Sequence, residues 1–157
     1  MSASLPSCEF YVDNLKVKMD VVFPAEVSRL SVVVDGLMQI VTAMGCACGH
    51  EHDVELAVRE ALANAIVHGA GNDPGRKVEC CVACDEEHGM LVVVRDPGEG
   101  FDPKALPSPV VGENVYSEHG RGVFLINQLM DHVEYKRGGT EIHMRKFPPP
   151  AKKDCGL

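Results

Sequence analysis

The 157-residue sequence lacks any surplus of positive charge: 15 Lys and Arg stand against 23 Asp and Glu, a formal balance of −8. The cationic residues are scattered rather than clustered, which excludes a nucleic-acid surface, because phosphate backbones are held by patches of Lys and Arg. Any phosphate bound by this chain is bound locally. Long apolar runs are missing as well. None reaches the length that spans a bilayer, and the first residues show neither the basic head nor the apolar core of a secretory leader. These absences predict a cytoplasmic protein that engages no membrane. No internal repeat is visible, so repeat architectures are excluded.

Cysteine, in contrast, is plentiful. The seven cysteines are odd in number and come without secretory context, so they are read as thiols. Cys46-Ala-Cys48-Gly-His50-Glu-His52 gathers soft and borderline ligands, and a metal site there stands against an inter-helix loop of incidental thiols. Zinc sites separate their two ligand pairs by a longer stretch, which favours the loop. Cys80, Cys81 and Cys84 read as strand residues. A hydrophobic fraction of 45% and a charged fraction of 24% are those of an ordinary globule. The length predicts a single domain over residues 1–146, with 147–157 as a flexible tail rich in proline and lysine.

The chain is organised around Glu60-Ala-Leu-Ala-Asn64-Ala-Ile-Val-His68, the second half of a helix predicted from about Asp53. At about 100° per residue, Asp53, Ala57, Glu60, Asn64 and His68 share one stripe. Val54, Val58, Ala61 and Ala65 flank it on one side, and Leu56, Ala63 and Val67 on the other. Glu60 and Asn64 either belong to a solvated face, paired with Arg59 or Lys77, or form a hard-cation and acid/base site. In the second case the amide oxygen ligates magnesium and the carboxylate one turn earlier orients or deprotonates a nucleophile. The apolar flanks leave little room for a wet face.

In chain order, residues 9–23 alternate as one long strand or a short hairpin, and Pro24-Ala-Glu26 opens a helix that Gly45 closes. Gly69 ends the organising helix, and a glycine-rich loop runs to Gly75. Two strands follow, about Lys77 to Cys84 and Met90 to Arg95, the second a continuous apolar run that predicts a covered, central position. It ends in Asp96-Pro-Gly98-Glu-Gly100-Phe101, where two glycines let backbone approach a flat ligand and Asp96 can accept from an exocyclic amine. Residues 102–119 read as a long loop of the kind that forms lids. Gly120-Arg121-Gly122 then leads into a helix from Val123 to Met130, whose start is a candidate anion site. A final hairpin turns at Arg137-Gly-Gly139.

Glu60-x3-Asn64, Asp96-x-Gly98-x-Gly100, Gly120-x-Gly122 and Gly139-Thr140, in that order, resemble the ATP site of the GHKL superfamily, which includes gyrase, histidine kinases and MutL. The chain looks most like the small bacterial anti-sigma-factor serine kinases, through Glu60 to Gly69, Gly120 to Asp131 and Gly139 to Ile142. The resemblance implies an α/β (α+β) two-layer sandwich of the Bergerat type, with helices on one face of a mixed, mostly antiparallel sheet. It implies ATP and magnesium as cofactors, with Asn64 holding the metal, Glu60 as general base and Asp96 reading the adenine amino group. Gly98 and Gly100 lie along the base, Gly120 and Gly122 cradle phosphates, and Thr140 adds a hydroxyl. His68, Phe101, Arg121 and Val123 complete the nucleotide set, and residues 102–119 form the lid.

The partners so implied are a sigma factor, a STAS-domain anti-anti-sigma protein whose serine is phosphorylated, and a second copy in a homodimer. Arg29 matches a position used in partner binding. Glu118 and His119 stand where such kinases tend to carry a basic residue, and Arg121 is the charge available to replace it. The alternative is a module in which nucleotide shapes a partner surface without chemistry.

Overall fold

The computed structural model describes residues 17–85, 87–100 and 118–148, with 118–121 described for the backbone alone. Phe101, most of the expected lid, the Arg121 side chain, residues 9–16 of the first predicted strand and the tail from 149 lie outside the described residues. The chain runs β1 (Val17–Pro24), α1 (Leu30–Ala43), α2 (Glu51–Asn64), β2 (Lys77–Asp85), β3 (Gly89–Arg95), α3 (Glu118–Leu129), β4 (His132–Lys136) and β5 (Glu141–Lys146). The strands form one sheet in the order β1-β2-β3-β5-β4. Every described pairing is antiparallel, which narrows the expected mixed sheet. The short turns β2–β3 and β4–β5 make hairpins, and a hairpin can only pair its strands antiparallel.

The two layers follow from strand periodicity. Cys80, Val82 and Cys84 of β2, Met90, Val92 and Val94 of β3, and Ile142 and Met144 of β5 point to one face, where they pack with Val34, Leu37 and Val41 of α1, Val54, Val58 and Leu62 of α2, and Ile126 of α3. The alternate residues Cys81, Ala83, Leu91 and Val93 make a second buried cluster on the other face. The run Leu91-Val-Val-Val94 is thus buried on both sides of the third of five strands, as its continuous hydrophobicity predicts. Beyond that cluster the same face carries ionic side chains. The Arg95 guanidinium donates to Glu141 at 2.8 Å, and His143 Nε2 lies 2.6 Å from the other Glu141 oxygen. Burial pushes the Glu141 carboxyl up, but the His143 hydrogen bond and the Arg95 charge outweigh it and hold the group below its ordinary value.

Three expectations change. Pro24 ends β1 opposite Lys77 instead of opening a helix; a 3-10 turn, Val27–Arg29, precedes α1. Proline lacks a donor but is tolerated at the end of an edge strand. α3 begins at Glu118, so Gly120 and Gly122 lie inside the helix and not ahead of it. Finally, Cys46 and Cys84, 38 positions apart in sequence, form a disulfide with Cα atoms 5.9 Å apart. Cys48 and Cys81 are also disulfide-bonded, while Cys80 is a free, buried thiol whose pKa burial, aided by Asp20, pushes up to about 12. The thiol reading fails because the loop that Gly45 opens folds back over the helix-side face of β2, a proximity that sequence spacing does not carry. Oxidised sulfurs are not the thiolates that zinc binds, and the described residues hold no cluster of three or more metal-ligating side chains.

Candidate functional site

The site is built at the end of α2. Its last α-helical residue is Asn64, after which Ala65–Gly69 continue as one π-helical turn, with the Ala70 amide donating to the Ala65 carbonyl at 2.9 Å. Such a turn widens the helix end and carries side chains off the preceding stripe. Glu60 and Asn64 are half-buried, between the wet face and the sealed core that the sequence left as alternatives. Arg59 lies 3.6 Å from Glu55, one turn back, and so is engaged away from Glu60.

Four glycines then decide how the segments meet. A methyl group at Gly69 would collide with the Asp96 carboxyl, and one at Gly98 with the Gly69 carbonyl oxygen. The end of α2 and the turn after β3 are therefore in backbone contact. Gly100, at φ +82°, sits where a side chain would strike the Gly138 carbonyl. At Gly122 a β-carbon would stand 3.0 Å from Asn64 Nδ2 and 3.1 Å from Glu60 Oε2. Since α3 starts at Glu118, the unsatisfied amides of its first turn precede Gly122. The contribution of Gly122 is close approach to the two polar residues of α2.

Between these segments lies a cavity of about 500 Å³. Ala61, Ala65, Val94, Ile126 and Ile142 give it apolar walls, and Asn64, His68, Asp96, Gly98, Gly100, Val123 and Thr140 line it as expected. A second cavity of about 420 Å³ is lined by Glu60, Asn64, His68, Gly122 and apolar side chains of α2, the π-helical turn and α3. Asn64 and His68 border both cavities, whereas Glu60 borders only the second. Gly120 lies within α3 as backbone, and Arg29 lies outside both cavities, exposed on the turn before α1 and 3.2 Å from Glu26.

In the lining of the first cavity, Asp96 is held by its own turn. Its Oδ1 accepts from the Gly98 amide at 2.8 Å, and its amide donates to the Thr140 carbonyl at 2.9 Å. Burial raises the Asp96 pKa, opposed by the Gly98 hydrogen bond and by the charge of Arg76. The Thr140 hydroxyl donates to the Arg137 carbonyl at 2.8 Å, which leaves its lone pairs for a ligand.

Sequence reasoning missed Arg76, Glu99 and Tyr135, which also line the first cavity. Tyr135 carried no signal beyond strand alternation, and burial pushes its phenol up to about 12. Arg76 closes a glycine-rich loop, and nothing in the spacing marks it.

The whole is a slot with both polar and apolar walls, lined by the half-buried Asp96 carboxylate, Glu99, several glycines and the Asn64 carboxamide, with the Glu60 carboxylate in the adjoining cavity. Flat heteroaromatic ligands with a polar tail suit that shape. Residues 23–146 match the family model of the histidine kinase-like ATPase domain. Among curated proteins, the serine-protein kinase RsbW of Staphylococcus epidermidis is 31% identical over 132 residues, 79% of this chain and 82% of the relative. The protein of the same name from Bacillus velezensis is 28% identical over 154 residues, 92% of each chain. That from Staphylococcus aureus (strain MSSA476) is 29% identical over 131 residues.

Proposed function

We propose a mechanism from one premise: the chain belongs to the histidine kinase-like ATPase domain family. It is an ATP-binding anti-sigma serine kinase, supported by RsbW relatives at about 30% identity over most of its length. The observation that carries the mechanism is the position of Asn64, which borders the slot that Asp96 lines and also the second cavity where Glu60 stands.

In this reading the adenine enters the first cavity, with its amino group donating to Asp96 and its faces against Gly98, Gly100 and the apolar walls. Thr140 and Val123 complete that end. The first cavity, about 500 Å³ with Asp96 and Thr140 in its lining, has room for a nucleotide, and Gly69, Gly98 and Gly122 let the framing segments meet around it, since a β-carbon at each would collide with Asp96 or Gly69 or crowd Asn64. Through the family resemblance, Gly120 and Gly122 are assigned to the phosphates, and His68, Phe101 and Arg121 to nucleotide binding. A carboxamide oxygen is a hard donor of the kind magnesium takes, so Asn64 would hold the ion. When bound, magnesium neutralises phosphate charge. Glu60 accepts the proton of the attacking serine hydroxyl, the serine oxygen bonds to the terminal phosphorus of ATP, and ADP departs with the electrons of the broken P–O bond. Positioning and electrostatics carry most of the rate in such transfers.

The partners are a sigma factor, which the protein sequesters, and a STAS-domain antagonist that supplies the serine. Arg29 belongs to the partner surface, and the protein acts as a homodimer in the cytoplasm. Among the described residues no helix is long and apolar enough to cross a membrane. A reducing cytoplasm would hold Cys46 and Cys84 as two packed thiols. The test is calorimetric titration with ATP, with and without magnesium, followed by label transfer from ATP to a STAS protein. Micromolar, magnesium-dependent binding, about −8 kcal/mol, together with a labelled serine is expected. Absence of nucleotide binding under both conditions would overturn the reading.

A further inference from the structure

Arg76 reaches the nucleotide slot from a backbone fixed on both sides. Its amide donates to the Asp73 carbonyl at 2.9 Å, its own carbonyl accepts from the Ala25 amide at 2.9 Å, and the Gly75 amide closes onto the Asp73 carboxylate at 2.9 Å. From that base the guanidinium donates through Nη2 to the Pro97 carbonyl at 3.0 Å. It thereby ties the loop after α2 to the turn carrying Asp96, while lining the same cavity.

We propose that Arg76 is a positioning residue for the base end of the slot, holding the Asp96 turn so that its carboxylate acts as an acceptor and selects a purine bearing a 6-amino group over one bearing a 6-oxo group. The inference rests on the ATP reading and adds the source of its base selectivity. An ionised carboxylate accepts from an amine and repels a carbonyl oxygen, whereas a protonated one can donate to that oxygen. Burial raises the Asp96 pKa and so favours the protonated form, while the Gly98 amide and the Arg76 charge oppose that shift. The other titratable side chains facing this cavity are His68 from the π-helical turn, Glu99 on the Asp96 turn and Tyr135 from β4. Arg76 also holds the Asp96 turn, through a hydrogen bond to its backbone.

The test measures dissociation constants of the full chain for ATP and for inosine triphosphate, which differ at the 6-position of the base, at pH 6 and pH 8. Wild type is expected to prefer ATP. Arg76→Ala should weaken ATP about tenfold, equivalent to about 1.4 kcal/mol, and inosine triphosphate little, with the larger loss of preference at pH 6. Arg76→Lys keeps the charge and should recover most of the preference. Equal weakening of both nucleotides with an unchanged pH profile would reduce Arg76 to a structural tie and overturn the proposal, as would no change in either. If wild type binds neither nucleotide, the ATP reading fails along with the inference; if it binds ATP and the ratio stays fixed in Arg76→Ala, the inference alone fails.

Discussion

Replacing Gly98 by alanine adds one methyl group at the place where the turn after β3 meets the end of α2. Its carbon would overlap the Gly69 carbonyl oxygen and stand 2.9 Å from Asp96 Oδ1 and 3.0 Å from the Gly69 carbonyl carbon. None of these atoms is the free end of a flexible side chain. Gly69 is fixed in the π-helical turn, and Asp96 Oδ1 already accepts from the Gly98 amide at 2.8 Å. Relief therefore requires the two segments to separate, and overpacking of this kind costs about 1–3 kcal/mol. A domain of this size loses about 2–4 °C of Tm per kcal/mol, so the melting point should fall by about 2–12 °C and ATP should bind more weakly. Gly36→Ala is the matched control. Gly36 is exposed in the middle of α1, with nothing within 4 Å of an added β-carbon. The same methyl there removes the helix-interior penalty of glycine, about 0.5–1 kcal/mol, and should raise Tm without touching the site. Thermal unfolding and ATP calorimetry on both variants decide the matter. If Gly98→Ala melts with the wild type and binds ATP as well, the segments do not meet as described.

Glu60→Gln should retain ATP binding and lose label transfer by at least about a hundredfold, as expected for a general base; undiminished transfer would remove Glu60 from that role. Asn64→Ala should bind ATP with the same affinity whether or not magnesium is present, measured by calorimetry against chelator-treated protein. The lowered pKa of Glu141 makes its contribution to stability complete above the ordinary carboxyl value of 4.5 and lost as pH falls through the depressed one. The Tm difference between wild type and Glu141→Gln should therefore shrink as pH drops below 4.5, and a constant gap would show that the charge of Glu141 contributes nothing. The Cys46–Cys84 link spans 38 residues, for which the chain-entropy model gives about 4 kcal/mol. Reductant should lower the Tm of oxidised wild type and lower that of Cys46→Ser less; equal effects would place the stabilisation in another disulfide.

Much of this protein is local, and the local part was legible. The spacing of Val34, Leu37 and Val41 gave the first helix, Gly45 at φ +67° closes it, and the unbroken run from Leu91 to Val94 marked the central strand. Glu60, Asn64, Asp96 and the glycines after it could be picked out because each combines a local backbone signal with a chemistry that few residue types supply. Their order matched a family pattern over residues 23–146.

What the sequence did not carry is distance between segments. That Gly122 touches Glu60 and Asn64, that Gly69 admits Asp96, and that Arg76 reaches Pro97 each depend on how α2, α3 and the β3 turn converge. Pro24 looked like a helix opener because proline suits both a first helical turn and a strand end, and pairing with Lys77 decided between them. Cys46 and Cys84 looked like separate thiols for the same reason: covalent pairing is set by the approach of a loop to a sheet face. Residue type and periodicity are properties of neighbours along the chain, and they determined the elements and the chemical groups. The slot itself, its division at Asn64 and the guanidinium at its base end are properties of neighbours in space, which packing alone brings together.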